Sequence, residues 1–171
     1  MTEKKQNKTS SQPGLFDAVK PPIKTARPKG HSTMYCDGAC SGNPGDSGIG
    51  VFIDLSNEDD DALKNRGNCT ISEYIGTATN NIAEYSALIS GLEKARSLGI
   101  KRIKIFLDSE LVVRQVKGIY KVKNKNLMPL WQKAIDLLKH FQDYKVSHVP
   151  REMNAEADSL ARKGVKKGRQ R

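Results

Sequence analysis

Long apolar runs are missing from this sequence, and cysteine is scarce. No stretch approaches the length that a membrane span needs, and no charged-then-apolar leader opens the N-terminus. A cytoplasmic protein with no membrane partner is the expectation. Three cysteines, Cys36, Cys40 and Cys69, are an odd number at spacings that match no zinc pattern, so they read as reduced thiols with Cys36 buried. No internal repeat is visible, and 171 residues are too few for two comfortable domains. No surplus apolar surface is evident either, and a monomer is expected. Acids, too, are missing where the chain is most basic. The net charge of +10 comes from the ends. Residues 1–31 hold seven Lys/Arg against two acids, and residues 162–171 hold six Lys/Arg and no acid. The intervening 32–161 carry sixteen basic and seventeen acidic residues, a net of −1. Such tails suit loose attraction to a polyanion through its phosphates, and equally suit solvated ends that aid solubility.

Residues 1–31, rich in Lys, Gln, Ser, Thr and Pro, have the composition of a disordered tail. Regular patterning begins at residue 32. STMYCD, GIGVFID and the alternating NCTISEYIG read as three strands of an antiparallel meander, with the acidic SNEDDDALKNRG as an exposed loop. In TATNNIAEYSALISGLEKARSLG, Asn80 or Asn81 can cap a helix whose apolar residues recur at helical spacing up to Gly99. IKRIKIFLD reads as a buried fourth strand, SELVVRQVKG as a short helix, NLMPLWQKAIDLLKHF as a longer one, YKVSHVP as a fifth strand and NAEADSLARKGVKK as a terminal helix. That order is α/β and implies a five-stranded mixed sheet covered by helices.

Four acids take special places on this scaffold. Asp37 ends an apolar run in the first strand, before a glycine-rich turn, and Asp108 ends the fourth strand. Glu84 lies in the first turns of the long helix, on a face continued by Ala87, Leu88, Gly91 and Ala95, and Asp158 lies in the first turns of the last helix. If strands one and four are parallel neighbours, Asp37 and Asp108 emerge together at the edge where open α/β sheets build their sites. Any one of these acids reads equally well as a turn or cap residue. Four of them at strand ends and helix starts point to one site. Clustered carboxylates repel and take up protons unless a cation offsets them. Mg²⁺ suits a few carboxylates with water and phosphate oxygens, and two such ions can act on a phosphodiester.

DGACSGNPG, TNNIAE, LDSE and NAEADSLARKG resemble, in order and spacing, the four metal-binding blocks of type 1 ribonuclease H, across roughly residues 33–163. The resemblance implies that family's α/β fold: a five-stranded mixed sheet, its first three strands antiparallel and its last two parallel to the first, flanked by helices. It implies Mg²⁺-dependent endonucleolytic cleavage of the RNA strand of an RNA–DNA hybrid, with Mn²⁺ as a substitute ion and products bearing 5′-phosphate and 3′-hydroxyl ends. Carried over by position, Asp37 bridges two ions, Glu84 and Asp108 share the first, and Asp158 holds the second. Asn43 and Asn80, with Asn81 beside them, match minor-groove contacts, and Thr79 matches a DNA-phosphate contact. Gly38, Ala39, Gly42, Asn154 and Arg151 complete the implied substrate-contacting set. An A-like hybrid offers a wide, shallow minor groove and a 2′-hydroxyl on the strand to be cut.

The chain departs from the family at several points. HVPREMNAEAD is short where many members have a longer loop bearing a histidine, no histidine follows the fifth strand, and Arg151 stands where that loop would begin. His148 falls within the strand, as a packed or groove-edge residue. Arg151 stays protonated and cannot be a general base, but it can steady phosphate charge. Glu110 replaces a substrate-contacting glutamine of some relatives. KGIYKVKNKN reads either as a replacement for a missing basic insertion or as a solvated loop, and Trp131 is assigned to the core. In the tail, QPGLF resembles the short peptide by which bacterial replication and repair proteins dock onto the sliding clamp, through Gln12, Leu15 and Phe16. The expected organisation is a basic tail over 1–31, a ribonuclease H domain over 32–163 and a basic tail over 164–171. Two other readings stand beside the hybrid endonuclease: a broader nuclease that also cuts double-stranded RNA, and a hybrid-binding protein without catalysis.

Overall fold

The computed structural model describes residues 30–170, so the peptide Gln12, Leu15 and Phe16 lies outside the described residues. Five strands form one mixed sheet: β1 (Ser32–Gly42), β2 (Gly45–Asp54), β3 (Cys69–Ala78), β4 (Arg102–Leu107) and β5 (Asp143–His148), in the order β3-β2-β1-β4-β5. β1, β2 and β3 pair antiparallel, whereas β4 pairs parallel to β1 and β5 parallel to β4. The mixed α/β sheet expected from the element order is therefore present. Connecting these strands are α1 (Asp61–Lys64), α2 (Asn80–Ser97), α3 (Glu110–Val116), α4 (Met128–Leu138) and α5 (Ala155–Gly168), the last preceded by a 3₁₀ turn over Arg151–Asn154.

The glycine-rich stretch after Asp37 is strand rather than turn. β1 continues to Gly42, with Asp37 opposite Gly50 and Ala39 opposite Gly48, and only Asn43 and Pro44 separate it from β2. The physical reason lies on the neighbouring strand. A Cβ on Gly50 would lie 2.0 Å from the Ala157 carbonyl oxygen, and one on Gly48 would lie 2.5 Å from that of Ala161. Gly48 and Gly50 let α5 rest directly on the hairpin, while Gly42, with φ +95°, ends β1 at the turn. On the other face, the fully buried Met34 and Val51 meet α2 at Gly91.

Three local expectations are corrected. The acidic loop contains the single-turn helix α1, capped by the Asp60 carboxylate, with Leu63 folded into the core. Thr79, not Asn80 or Asn81, caps α2 by accepting from the Ile82 N–H. Trp131 packs against the edge of the core, half-buried, because its indole N–H reaches the Gln115 carbonyl oxygen at 3.2 Å. The terminal helix read over NAEADSLARKGVKK is present as α5, which runs to Gly168 with Gly164 and Val165 buried.

Candidate active site

β4 stops at Leu107, and Cys36↔Leu107 is the last pair that joins it to β1. One residue further on, β1 presents Asp37 at the gap and the chain leaving β4 presents Asp108. Glu84 comes from the second turn of α2, which can lie against β1 because residue 38 is glycine. A Cβ there would sit 2.3 Å from the Ala83 carbonyl carbon and the Glu84 nitrogen. The Gly38 N–H also donates to the Glu84 carboxylate. Asp37, Glu84 and Asp108 each place a carboxylate oxygen within 4.8 Å of the others. They line a groove of about 520 Å³ with Ala39, Cys40, Asn80, Ser109, Arg151 and Arg162 among its walls.

The electrostatics show a site short of positive charge. Burial, then the charges of Asp108 and Asp158, push Asp37 up to about 7, with Arg151 pulling the other way. Burial, then Asp37 and Asp108, push Glu84 up to about 9, against the Gly38 hydrogen bond. Asp37 Oδ2 and Glu84 Oε2 are buried with no hydrogen-bond partner among the described residues. Orphaned oxygens of this kind fit hard divalent cations, which take carboxylate ligands and bring their own water. The donor set fits the metal that the four acids suggested.

Asp158 stands apart from the triad. Arg151 Nη2 donates to its Oδ1 at 2.5 Å, and Arg162 Nε to its Oδ2 at 2.9 Å. Its negative charge nevertheless reaches Asp37. Asn154, expected at the substrate, is 1% exposed. Its Nδ2 donates to the Cys36 carbonyl oxygen at 2.9 Å and to Asp108 Oδ1 at 3.3 Å, so it holds the start of α5 against β1 and fixes one triad carboxylate. Asn43 and Asn80 are brought together, the Asn80 N–H donating to Asn43 Oδ1 at 3.1 Å, with both residues exposed. Thr79, Asn81 and Gly42 lie outside the carboxylate groove. Gly42 turns the chain with φ +95°, a conformation that suits glycine. Glu110 is engaged by Arg114 at 2.6 Å, which neutralises the acid expected to repel phosphate.

Three groove residues escaped the sequence reading: Cys40, Ser109 and Arg162. Ser109 follows Asp108 directly and caps α3, and Arg162 lies four residues after Asp158 on the same helix face. That spacing was the available signal for Arg162.

The Reverse transcriptase-like family model matches residues 35–164. Ribonuclease HI of Halobacterium salinarum is 38% identical over 136 residues, covering 80% of this chain and 65% of that protein. The crystal structure of RNase H1 from the same archaeon superposes with a TM-score of 0.73 at 35% identity, covering 81% of this chain and 99% of that one. The chain belongs to the type 1 ribonuclease H family. A crystal structure of LC11-RNase H1 in complex with an RNA/DNA hybrid matches this ribonuclease H chain with a TM-score of 0.69 at 36% identity, covering 80% and 98% of the two chains. A bifunctional protein of Mycobacterium tuberculosis is 37% identical over 128 residues. That match takes in 75% of this chain, which spans only about a third (34%) of the mycobacterial protein.

Proposed function

We propose that the protein is an endoribonuclease that hydrolyses the RNA strand of RNA–DNA hybrids and leaves 5′-phosphate and 3′-hydroxyl ends. The observation that carries this is the triad of Asp37, Glu84 and Asp108 within 4.8 Å, two of whose buried oxygens have no partner. Asp37 would bridge two Mg²⁺ ions, Glu84 and Asp108 would hold the first, and Asp158 the second, with Mn²⁺ able to substitute. When bound, the ions supply an activated water and stabilise the leaving oxygen.

The chain's own groups do the rest. Burial and the neighbouring acids favour the protonated forms of Asp37 and Glu84, so a bound cation would be what lets both stay ionised. Arg151 and Arg162, which line the groove and pair with Asp158, would supply the positive charge that meets the substrate phosphate. His148 is exposed, and its Nε2 lies 3.2 Å from the Asp108 backbone oxygen, so the imidazole serves the backbone rather than a reacting proton. Asn43, Asn80 and the backbone at Gly38, Ala39 and Gly42 would contact the minor groove of the hybrid. The hybrid complex of LC11-RNase H1 supports this substrate class.

Cleavage of a labelled RNA–DNA duplex with Mg²⁺ or Mn²⁺, beside matched dsRNA and dsDNA, tests the proposal. RNA-strand cutting that needs metal and disappears in Asp37→Asn is the expected result. Cutting of dsRNA as well would establish the broader nuclease, and hybrid binding without cutting would establish a binding protein instead.

The proposal extends to a cytoplasmic monomer that docks onto a sliding clamp through Gln12, Leu15 and Phe16. No described helix is long and apolar enough to cross a membrane. Leu15→Ala with Phe16→Ala is expected to abolish co-elution with the clamp while leaving hybrid cleavage unchanged.

A further inference from the structure

We propose that one edge of α5 is a phosphate rail, on which Arg162 and Arg169 grip the nucleic-acid backbone as it runs from the carboxylate groove along β1. The rail rests on the hybrid-binding function proposed above, and it assigns the basic C-terminal segment a specific contact.

Helical phase supplies the first observation. Arg162 and Arg169 follow Asp158 by four and eleven residues, which at about 100° per residue places all three within roughly 40° of one another. Gly164 and Val165 are buried and hold the helix down beside this edge. Arg162 and Arg169 therefore do not share one cloud of charge with Lys167. Lys167 points to the far side, where its Nζ donates to the Ser72 carbonyl oxygen on β3 at 2.7 Å.

The second observation is what the edge lies along. Arg162 borders the groove together with Ala39 and Cys40. Arg169 donates to Ser41 Oγ, and its Nε lies 3.5 Å from Asp46 Oδ2. Asp37, Ala39 and Ser41 alternate onto one face of β1. The two arginines thus accompany that face from the metal-holding acid to the hairpin tip, roughly 16 Å along the helix from Asp158. A strand whose scissile phosphate sits at Asp37 would carry its next few phosphates over this path.

Both arginine side chains are more than half exposed, and their guanidinium groups hold more donors than their present contacts use. Asp46 also accepts from the Tyr74 hydroxyl at 2.9 Å through its other carboxylate oxygen, and its contact with Arg169 is long at 3.5 Å. A guanidinium fork matches a phosphate with two parallel hydrogen bonds, and phosphate contacts carry no sequence information. The rail therefore adds affinity without sequence preference.

The test compares two variants of equal net charge, Arg169→Gln and Lys167→Gln, each in an Asp37→Asn background with Mg²⁺. Hybrid affinity is titrated against salt, and melting temperature is recorded to confirm folding. Arg169→Gln is expected to weaken binding several-fold and to lower the slope of log K against log salt by about one, with Lys167→Gln unchanged. Arg169→Lys, which keeps the charge, is expected to restore the slope. Shortening the hybrid from one end should erase the Arg169 effect, and shortening from the other should preserve it. Equal effects of the two variants, or no effect of either, would overturn the rail in favour of diffuse attraction. Failure of the parent to bind hybrid at all would instead overturn the function on which the rail rests.

Discussion

Asn154 joins two distant parts of the chain with one carboxamide, bonding Cys36 across 118 positions and steadying Asp108. Asn154→Ala would leave the buried Cys36 carbonyl without its partner, a loss of about 1–3 kcal/mol measurable by denaturant unfolding. Hybrid cleavage should fall as well, because Asp108 loses its orientation. His148 provides the contrast. A general base contributes roughly 10²–10⁴-fold to a rate. With its ring on the Asp108 backbone oxygen, His148→Ala is expected to lower kcat less than tenfold, and a larger loss in steady-state cleavage would restore the imidazole to the mechanism. The residue types at the site were legible in the sequence; their partners were not. Nothing in NAEAD announces that Asn154 faces inward while Asp158 pairs with two arginines.

At the level of elements, the site depends on how closely helices approach the sheet. α2 reaches β1 at Gly38, and α5 reaches β2 at Gly48 and Gly50. Gly38→Ala would press a methyl group into the α2 backbone, costing about 1–3 kcal/mol or more and shifting Glu84 from the triad. Its expected signature is a weakened Mg²⁺-induced rise in melting temperature, larger in proportion than the loss of stability itself. Isothermal titration of the folded variant would check this directly. The element order could be read from apolar patterning, which is strongest in α4 and α5. The length of β1 could not, because glycines that admit a helix look the same in sequence as glycines that make a turn.

Across the whole molecule, the acid cluster makes stability depend on pH and metal together. Asp37 rises from an ordinary 3.8 to about 7 and Glu84 from 4.5 to about 9. Between about pH 4 and pH 9 the metal-free native state thus binds more protons than the unfolded chain, so its stability falls as pH rises through that window. Divalent metal competes with those protons, and the melting-temperature gain on adding Mg²⁺ is expected to be larger at pH 9 than at pH 6. Asp37→Asn should stabilise the metal-free protein at pH 8 by on the order of 1–3 kcal/mol, read from urea titrations. A Mg²⁺ gain independent of pH would contradict the clustered charge. Such coupling belongs to the fold, since Asp37, Glu84 and Asp108 are separated by dozens of residues in the chain. By itself the sequence determined the α/β order, the inward faces of the helices and the four acids at their boundaries, because these follow from local periodicity and residue chemistry. Only the tertiary structure decided that three of the acids share a cluster while arginines hold the fourth, and that glycines seat α2 and α5, because each depends on register and close approach across the sheet.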